Sequence, residues 1–203
     1  MKTTLALGWA IFLIVQNGPA AAASPEVQVR QSIDEILAIL KDPQLRNESN
    51  KSERRRRLRE AIHRRFDFAE MAGRSLGAEW RRRSPEEQKE FVVLFTDLFE
   101  DAYLDLIESY SGEKVEYLRN RTENDFAEVD TKLIDDKGRE FLITYRLHNV
   151  NGDWKVYDVV IDHVSLVNNY RAQFTRVLAR SSFQELLNKM KEKSSFSTAV
   201  AKR

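Results

Sequence analysis

Between positions 158 and 165 the chain gathers Asp158, Asp162, His163 and Ser165. These are the residue types of a nucleophile, its base and an orienting carboxylate, which work only when the three side chains converge. The segment from Asp153 to Asp162 reads as a strand, and in a strand His163 points away from both Asp162 and Ser165. No Gly-x-Ser-x-Gly turn accompanies Ser165. It reads instead as the N-cap of a helix that follows. Asp158, beside Tyr157, is the one remaining candidate for a general base of the kind found in small cone-shaped isomerases. The commoner role for such a carboxylate is a salt bridge to an arginine, here expected from the N-terminal helices.

Metal and cofactor chemistry have no visible seat. The three histidines, His63, His148 and His163, are isolated, and the chain has no cysteine, so no ligand set has the spacing of a zinc or iron site. Its seven glycines form neither Gly-x-Gly-x-x-Gly nor a phosphate loop. The sequence therefore calls for no cofactor, no metal and no enzyme. The absence of cysteine also excludes a disulfide framework, leaving ordinary packing to hold the fold.

Arginine runs at Arg54 to Arg57, Arg64-Arg65 and Arg81 to Arg83 would suit phosphate backbones. The overall balance opposes that, with 33 basic and 32 acidic residues in 203, and on helices such runs are usually solvated faces. No nucleic-acid partner is expected.

The start of the chain supplies a compartment. Residues 1–23 combine Lys2, an apolar run from Leu5 to Val15 and Ala21-Ala22-Ala23 before Ser24, the three parts of a secretory signal peptide. Eleven apolar residues are too few to span a bilayer, which takes about 20. Export to a Gram-negative periplasm is the expectation, with one domain over residues 24–193 and a disordered tail over 194–203.

Within that domain the pattern has three blocks. Residues 24–110 are helical: Ser24-Pro25 caps a first helix with Val29, Ile33, Ile36, Leu37 and Leu40 at helical spacing. A second helix carries Leu58, Ala61 and Ile62 into the apolar segment from Phe66 to Gly73. Ser84-Pro85-Glu86-Glu87 is a capping box that starts a long helix to about Tyr110. That helix is apolar over well over half its circumference, from Phe91, Phe95, Leu98 and Phe99 to Tyr103 and Ile107. Covering one sheet takes an arc of roughly 100°, so a second apolar neighbour, helix or ligand, is implied.

Residues 115–162 change to period two, predicting an antiparallel meander of four strands: 115–121, 126–135, 140–150 and 153–162. Asn151-Gly152 and Asp135 to Gly138 are hairpin chemistry. In the fourth strand Trp154 and Val156 have one parity and Val159 and Ile161 the other, so a bulge near Tyr157-Asp158 is expected. Residues 165–193 return to helices, with Leu166, Val167, Tyr170 and Phe174 at helical spacing and a second capping box at Ser182 and Glu185.

The run Trp154 to Leu166, followed by Asn169-Tyr170-Arg171 and Gln173-Phe174, resembles the MlaC or toluene-tolerance family. Leu58 to Ile62, Phe68 to Ala72 and the Trp80 to Val92 segment share the likeness, which extends from about Val27 to Lys193. One departure is His163, where members commonly carry glycine. The resemblance implies a periplasmic carrier that passes phospholipid between an outer-membrane lipoprotein-porin complex and an inner-membrane ABC transporter bearing an MCE-domain ring. It implies an α+β fold in which a curved four-stranded antiparallel sheet, related to the NTF2-like cone, closes with N-terminal and C-terminal helices around an apolar cavity.

Residues expected to line that cavity are Phe95, Leu98, Phe99 and Tyr103 on the long helix, Tyr145 and Leu147 on the third strand, and Val159, Ile161 and Val164 around the fourth. Tyr170, Phe174 and Val177 on the next helix complete the set. Ordinary core would explain part of it equally well. Arg81 to Arg83 are a minor expectation for the mouth, where they would steer anionic lipid. Two rivals stay open beside phospholipid carriage: an NTF2-like enzyme acting on a small apolar substrate, and a protein-only adaptor. Another lipid, such as a hopanoid, is an alternative cargo.

Overall fold

The structure is a computed structural model describing residues 23–110, 112–135, 137–192 and 196. The expected signal peptide falls outside these residues except for Ala23. The expected tail also falls outside them except for Phe196, which packs its ring on Phe174 at 5.4 Å between centroids.

Among the described residues, six α-helices and one sheet make an α+β fold. Helix α1 (Pro25–Lys41) starts where Ser24 Oγ accepts the Val27 amide and Pro25 occupies the first turn, the arrangement that satisfies an orphan donor and presets φ. Helix α2 (Lys51–Arg65) carries the arginine run. The segment read only as short and apolar becomes α3 (Phe68–Leu76), because Asp67 caps it by accepting the Glu70 amide. A 3₁₀ turn at Gly77–Arg82 leads to α4 (Pro85–Glu108), whose reciprocal Ser84 and Glu87 capping box is formed as the sequence predicts.

The sheet is a meander in the order β1 (Lys114–Glu123), β2 (Phe126–Ile134), β3 (Glu140–Val150), β4 (Asp153–Ile161) and β5 (Val164–Ser165), with every neighbour antiparallel. Five strands replace the expected four, the extra one being only two residues long. It arises because the chain does not run straight through Asp162 and His163. Both adopt left-handed backbone, with φ of 45° and 69°, and fold β5 back on β4 in a two-residue hairpin. Asp162 holds the turn by exchanging bonds with the Leu142 backbone. His163 thus stands in left-handed backbone, the conformation that glycine adopts without cost.

The bulge lies where the parity break put it. Arg146 pairs with Asp158 and Leu147 with Val156, leaving Tyr157 as the extra residue, and a second irregularity interrupts β1 between Tyr117 and Arg119. Bulges increase twist and bend their strands, which curves the sheet.

Ser165 caps α5 (Leu166–Leu178) by accepting the Asn168 amide, and Ser182 accepts the Glu185 amide at the head of α6 (Phe183–Glu192). These two helices pack with the first half of α4 around an aromatic cluster. Phe91 meets Phe174 edge-on at 5.4 Å, Phe95 meets Tyr170 edge-on at 5.4 Å, and Phe183 closes on Phe91 at 6.1 Å. Such edge contacts add to the area term. Among the described residues no helix is long and apolar enough to cross a membrane.

Candidate functional site: an apolar cavity under the sheet

Between the concave face of the sheet, α1 and the second half of α4 lies a cavity of about 250 Å³. Helix α1 contributes Val29, Ile33, Ile36, Leu37 and Leu40; α4 contributes Phe99, Tyr103, Leu106 and Ile107. The sheet adds Val115, Leu133, Ile143, Tyr145, Val156, Val159 and Ile161. This explains the excess apolar arc of α4, since its second half faces the cavity.

The cavity has a floor and a mouth. Val29, Val156 and Leu166 at the floor are 1–2% exposed, whereas Leu106 at the end of α4 is 47% exposed. Tyr110, Val115 and Leu133 at the same end are half-buried. The mouth therefore opens where α4 ends and β1 begins.

Among the described residues, the floor holds the one cation on the wall, Arg65. Its Nη1 donates to Gln28 Oε1 at 2.6 Å, Asp153 Oδ1 at 2.9 Å and the Trp154 carbonyl at 2.6 Å, and its Nε donates to Ser32 Oγ at 2.9 Å. A half-buried charge so fully bonded is satisfied by its neighbours. Gln28 extends the network, donating to the Ala23 and Gly152 carbonyls at 3.0 Å each and accepting the Trp154 amide at 3.0 Å. These bonds fix the first turns of α1 to the β3–β4 hairpin. Sequence reading missed Gln28, which carries no motif, and read Arg65 only as part of an arginine run on a solvated face. Burial pushes the Tyr145 phenol up to about 12, so this wall hydroxyl stays neutral at physiological pH.

Of the residues singled out from sequence, Phe99, Tyr103, Tyr145, Val159 and Ile161 meet at this wall. The other seven do not reach it. Phe95, Tyr170 and Phe174 lock into the aromatic cluster, and Leu98 and Leu147 are buried in the core. Val164 lies on β5, and Val177 lines a separate surface groove between α5 and α6 with Phe196. The wall of α1 was legible as an apolar helix face; what the pattern lacked was any sign that this face looks into a void.

The polar candidates sort differently. Asp158 is 4% exposed and absent from the cavity wall; its carboxylate accepts Arg146 at 3.2 Å, Ser165 Oγ at 2.7 Å and the Val167 amide at 3.1 Å. The arginine partner thus comes from β3 and not from the N-terminal helices, because the bulge turns Asp158 to the face that carries Arg146. Arg54 and Arg55 both bind Glu108, with Arg55 also on Asp105, while Arg56 and Arg57 bind Glu53. Arg81 to Arg83 sit before the first turn of α4, at the opposite end of that helix from the mouth, which corrects their expected position. Among the described residues no cluster of His, Asp and Glu could hold a metal.

A family model described as MlaC protein matches residues 30–192. The chain belongs to the MlaC family. It is 23% identical over 189 residues to the intermembrane phospholipid transport system binding protein MlaC of Haemophilus influenzae, covering 91% of this chain and 88% of that relative. Among solved structures it is similar to a phospholipid-binding protein from Ralstonia solanacearum in complex with a phospholipid, with a TM-score of 0.76 and 26% identity. That match covers 84% of this chain and 97% of the Ralstonia chain.

Proposed function

We propose that this protein is a periplasmic carrier that shelters phospholipid acyl chains in the cavity and shuttles lipid between an outer-membrane complex and an inner-membrane ABC transporter. The observation that carries the reading is a cavity walled almost wholly by apolar side chains and open at one end. Two acyl chains of roughly 30 methylenes, at about 0.8 kcal/mol each, need on the order of 20 kcal/mol of apolar shelter to leave a membrane. A deep cavity supplies that and a surface patch does not. Similarity to a protein solved with a phospholipid, and to a binding protein of an intermembrane phospholipid transport system, favours phospholipid over other lipids as cargo.

A mouth at one end lets the headgroup stay in water while tails enter first. Docking the mouth against a membrane complex keeps the tails out of water during transfer. Direction then comes from the partner, and no residue of this chain has to perform chemistry. The cavity, at about 250 Å³, lies below the roughly 300–1,000 Å³ of ordinary small-molecule pockets, so loading with a two-chain lipid must widen it. Export of the mature chain rests on the leader at residues 1–23.

Lipid extraction and mass spectrometry of protein taken from the periplasm test the proposal. Stoichiometric phospholipid is expected, and Val159→Trp, which fills the cavity, should lower it at least tenfold. Protein that carries no phospholipid and exchanges none with vesicles would overturn the reading.

A further inference from the structure

Helices α5 and α6 leave a surface groove between them, away from the mouth of the cavity. Helix α6 packs at the start of α4, where Phe183 meets Phe91 and Lys191 pairs with Glu90 at 2.8 Å. Arg176 and Arg180 of α5 and its following turn line one side of the groove, and Lys189 of α6 lines the other. Glu185, the one carboxylate among the described lining residues, is spent on Lys189 at 3.7 Å. Among the described residues Arg176 and Arg180 form no ion pair, whereas Arg54 to Arg57 of α2 are all held by carboxylates. The negative end of a helix carries about half a charge. It accounts for part of one cation and not for three beside a single paired carboxylate.

The groove already holds a ring. Phe196, four positions past the end of α6, stands edge-on to Phe174 at 5.4 Å, and Phe174 is itself 1% exposed within the core. An aromatic side chain is therefore what this base accepts. The segment that supplies it suits the rim poorly: residues 193–203 contain Lys193, Lys202 and Arg203 and no acid, so like charge is set near like charge. With Phe196 in place about 480 Å³ stays free, within the roughly 300–1,000 Å³ of ordinary binding pockets. The ring fits and its flanks do not.

We propose that the α5–α6 groove is a docking site for an acidic segment of a partner protein, whose aromatic anchor replaces Phe196 on Phe174 while flanking carboxylates reach Arg176 and Arg180. Arginine and carboxylate match in a two-pronged, charge-assisted contact, and a recessed aromatic anchor is the kind of residue that dominates protein interfaces. An anionic bilayer suits the groove less well. With 33 basic and 32 acidic residues the chain has no net pull towards a charged surface, and a headgroup layer presents no ring to a recess. The groove lies at the opposite end of α4 from the mouth, so a partner that holds the carrier here leaves the mouth free. The inference concerns the partner contact and not the cargo, and it stands or falls apart from the carrier reading.

The test uses the full mature chain and a fluorescein-labelled peptide of sequence DEDFEDE, read by anisotropy at low salt, beside a control peptide with serine in place of phenylalanine. Saturable binding is expected, with the serine control about tenfold weaker. Arg176→Glu combined with Arg180→Glu should weaken the phenylalanine peptide about tenfold. Phe196→Ala should tighten it about threefold, because the resident ring no longer competes. Phospholipid loading from vesicles should be the same in all three proteins. Absence of saturable binding, equal binding of the two peptides, or weaker binding by Phe196→Ala would overturn the docking site. So would attachment of wild type to phosphatidylglycerol vesicles, lost in the charge-reversed protein, without binding of the peptide. Wild type that binds the peptide and loads no lipid would remove the carrier reading and support the docking site. Should the charge-reversed protein fail to fold, the two peptides and Phe196→Ala decide.

Discussion

The two halves of α4 are both rich in apolar residues and opposite in what they face. From Phe91 to Phe95 the helix is clamped by Phe174, Tyr170 and Phe183 in a filled aromatic cluster. From Phe99 to Ile107 it fronts the cavity. The first half earns its burial from protein side chains that are always present, and the second half leaves part of its contact surface for an occupant. Interiors are otherwise packed as densely as organic crystals, so the void is the departure that needs a function.

Four substitutions or titrations would break or sharpen this contrast. The largest effect is expected in the filled half. Phe95→Ala should destabilise by about 3–5 kcal/mol, read as a lower urea midpoint with an unchanged slope; a loss under about 1 kcal/mol would mean that the cluster is not solid. Next comes the strap between sheet and α5: Asp158→Ala removes three hydrogen bonds to a buried carboxylate and should cost about 3 kcal/mol. Calorimetry of that variant would also show whether lipid retention survives, as it should if Asp158 is structural.

In the hollow half the same kind of truncation should matter less. Ile143→Ala enlarges a space that already exists, so about 1–2 kcal/mol is expected, below the usual range for filled cores. Equal losses for Phe95→Ala and Ile143→Ala would erase the distinction between the halves. The smallest effect is alkaline. Burial raises the Tyr145 phenol to about 12 from about 10 in an unfolded chain. The folded state therefore holds this proton more tightly. Its contribution to stability is complete below pH 10 and falls away as pH rises towards 12. Unfolding midpoints measured across that window should decline more steeply in wild type than in Tyr145→Phe.

The contrast also explains what could be read in advance. Caps and hairpins were legible because their chemistry is local: Ser84 with Glu87, Ser24 with Pro25 and Ser165 each satisfy backbone groups within a turn. The bulge at Tyr157 was legible because it flips the parity of apolar residues on either side. Whether an apolar side chain meets another or meets nothing is a long-range property. Phe95 and Tyr103 differ by two helical turns in one uniform stripe, and no local signal says that one is filler and the other wall. The hairpin at Asp162-His163 was missed for the opposite reason, since neither residue is the glycine that usually marks a left-handed turn.

Helix α4 also has a mechanical consequence. A helix of 24 residues is about 36 Å long, and this one is embedded at its base and braced near its tip, where Arg54 and Arg55 hold Glu108. It behaves as a fixed post. Any swelling of the molecule to admit a guest must come from the opposing wall, where the last turn of α1, beyond the bonds at Gln28 and Ser32 and the Arg64–Glu35 ion pair, rests on greasy contacts.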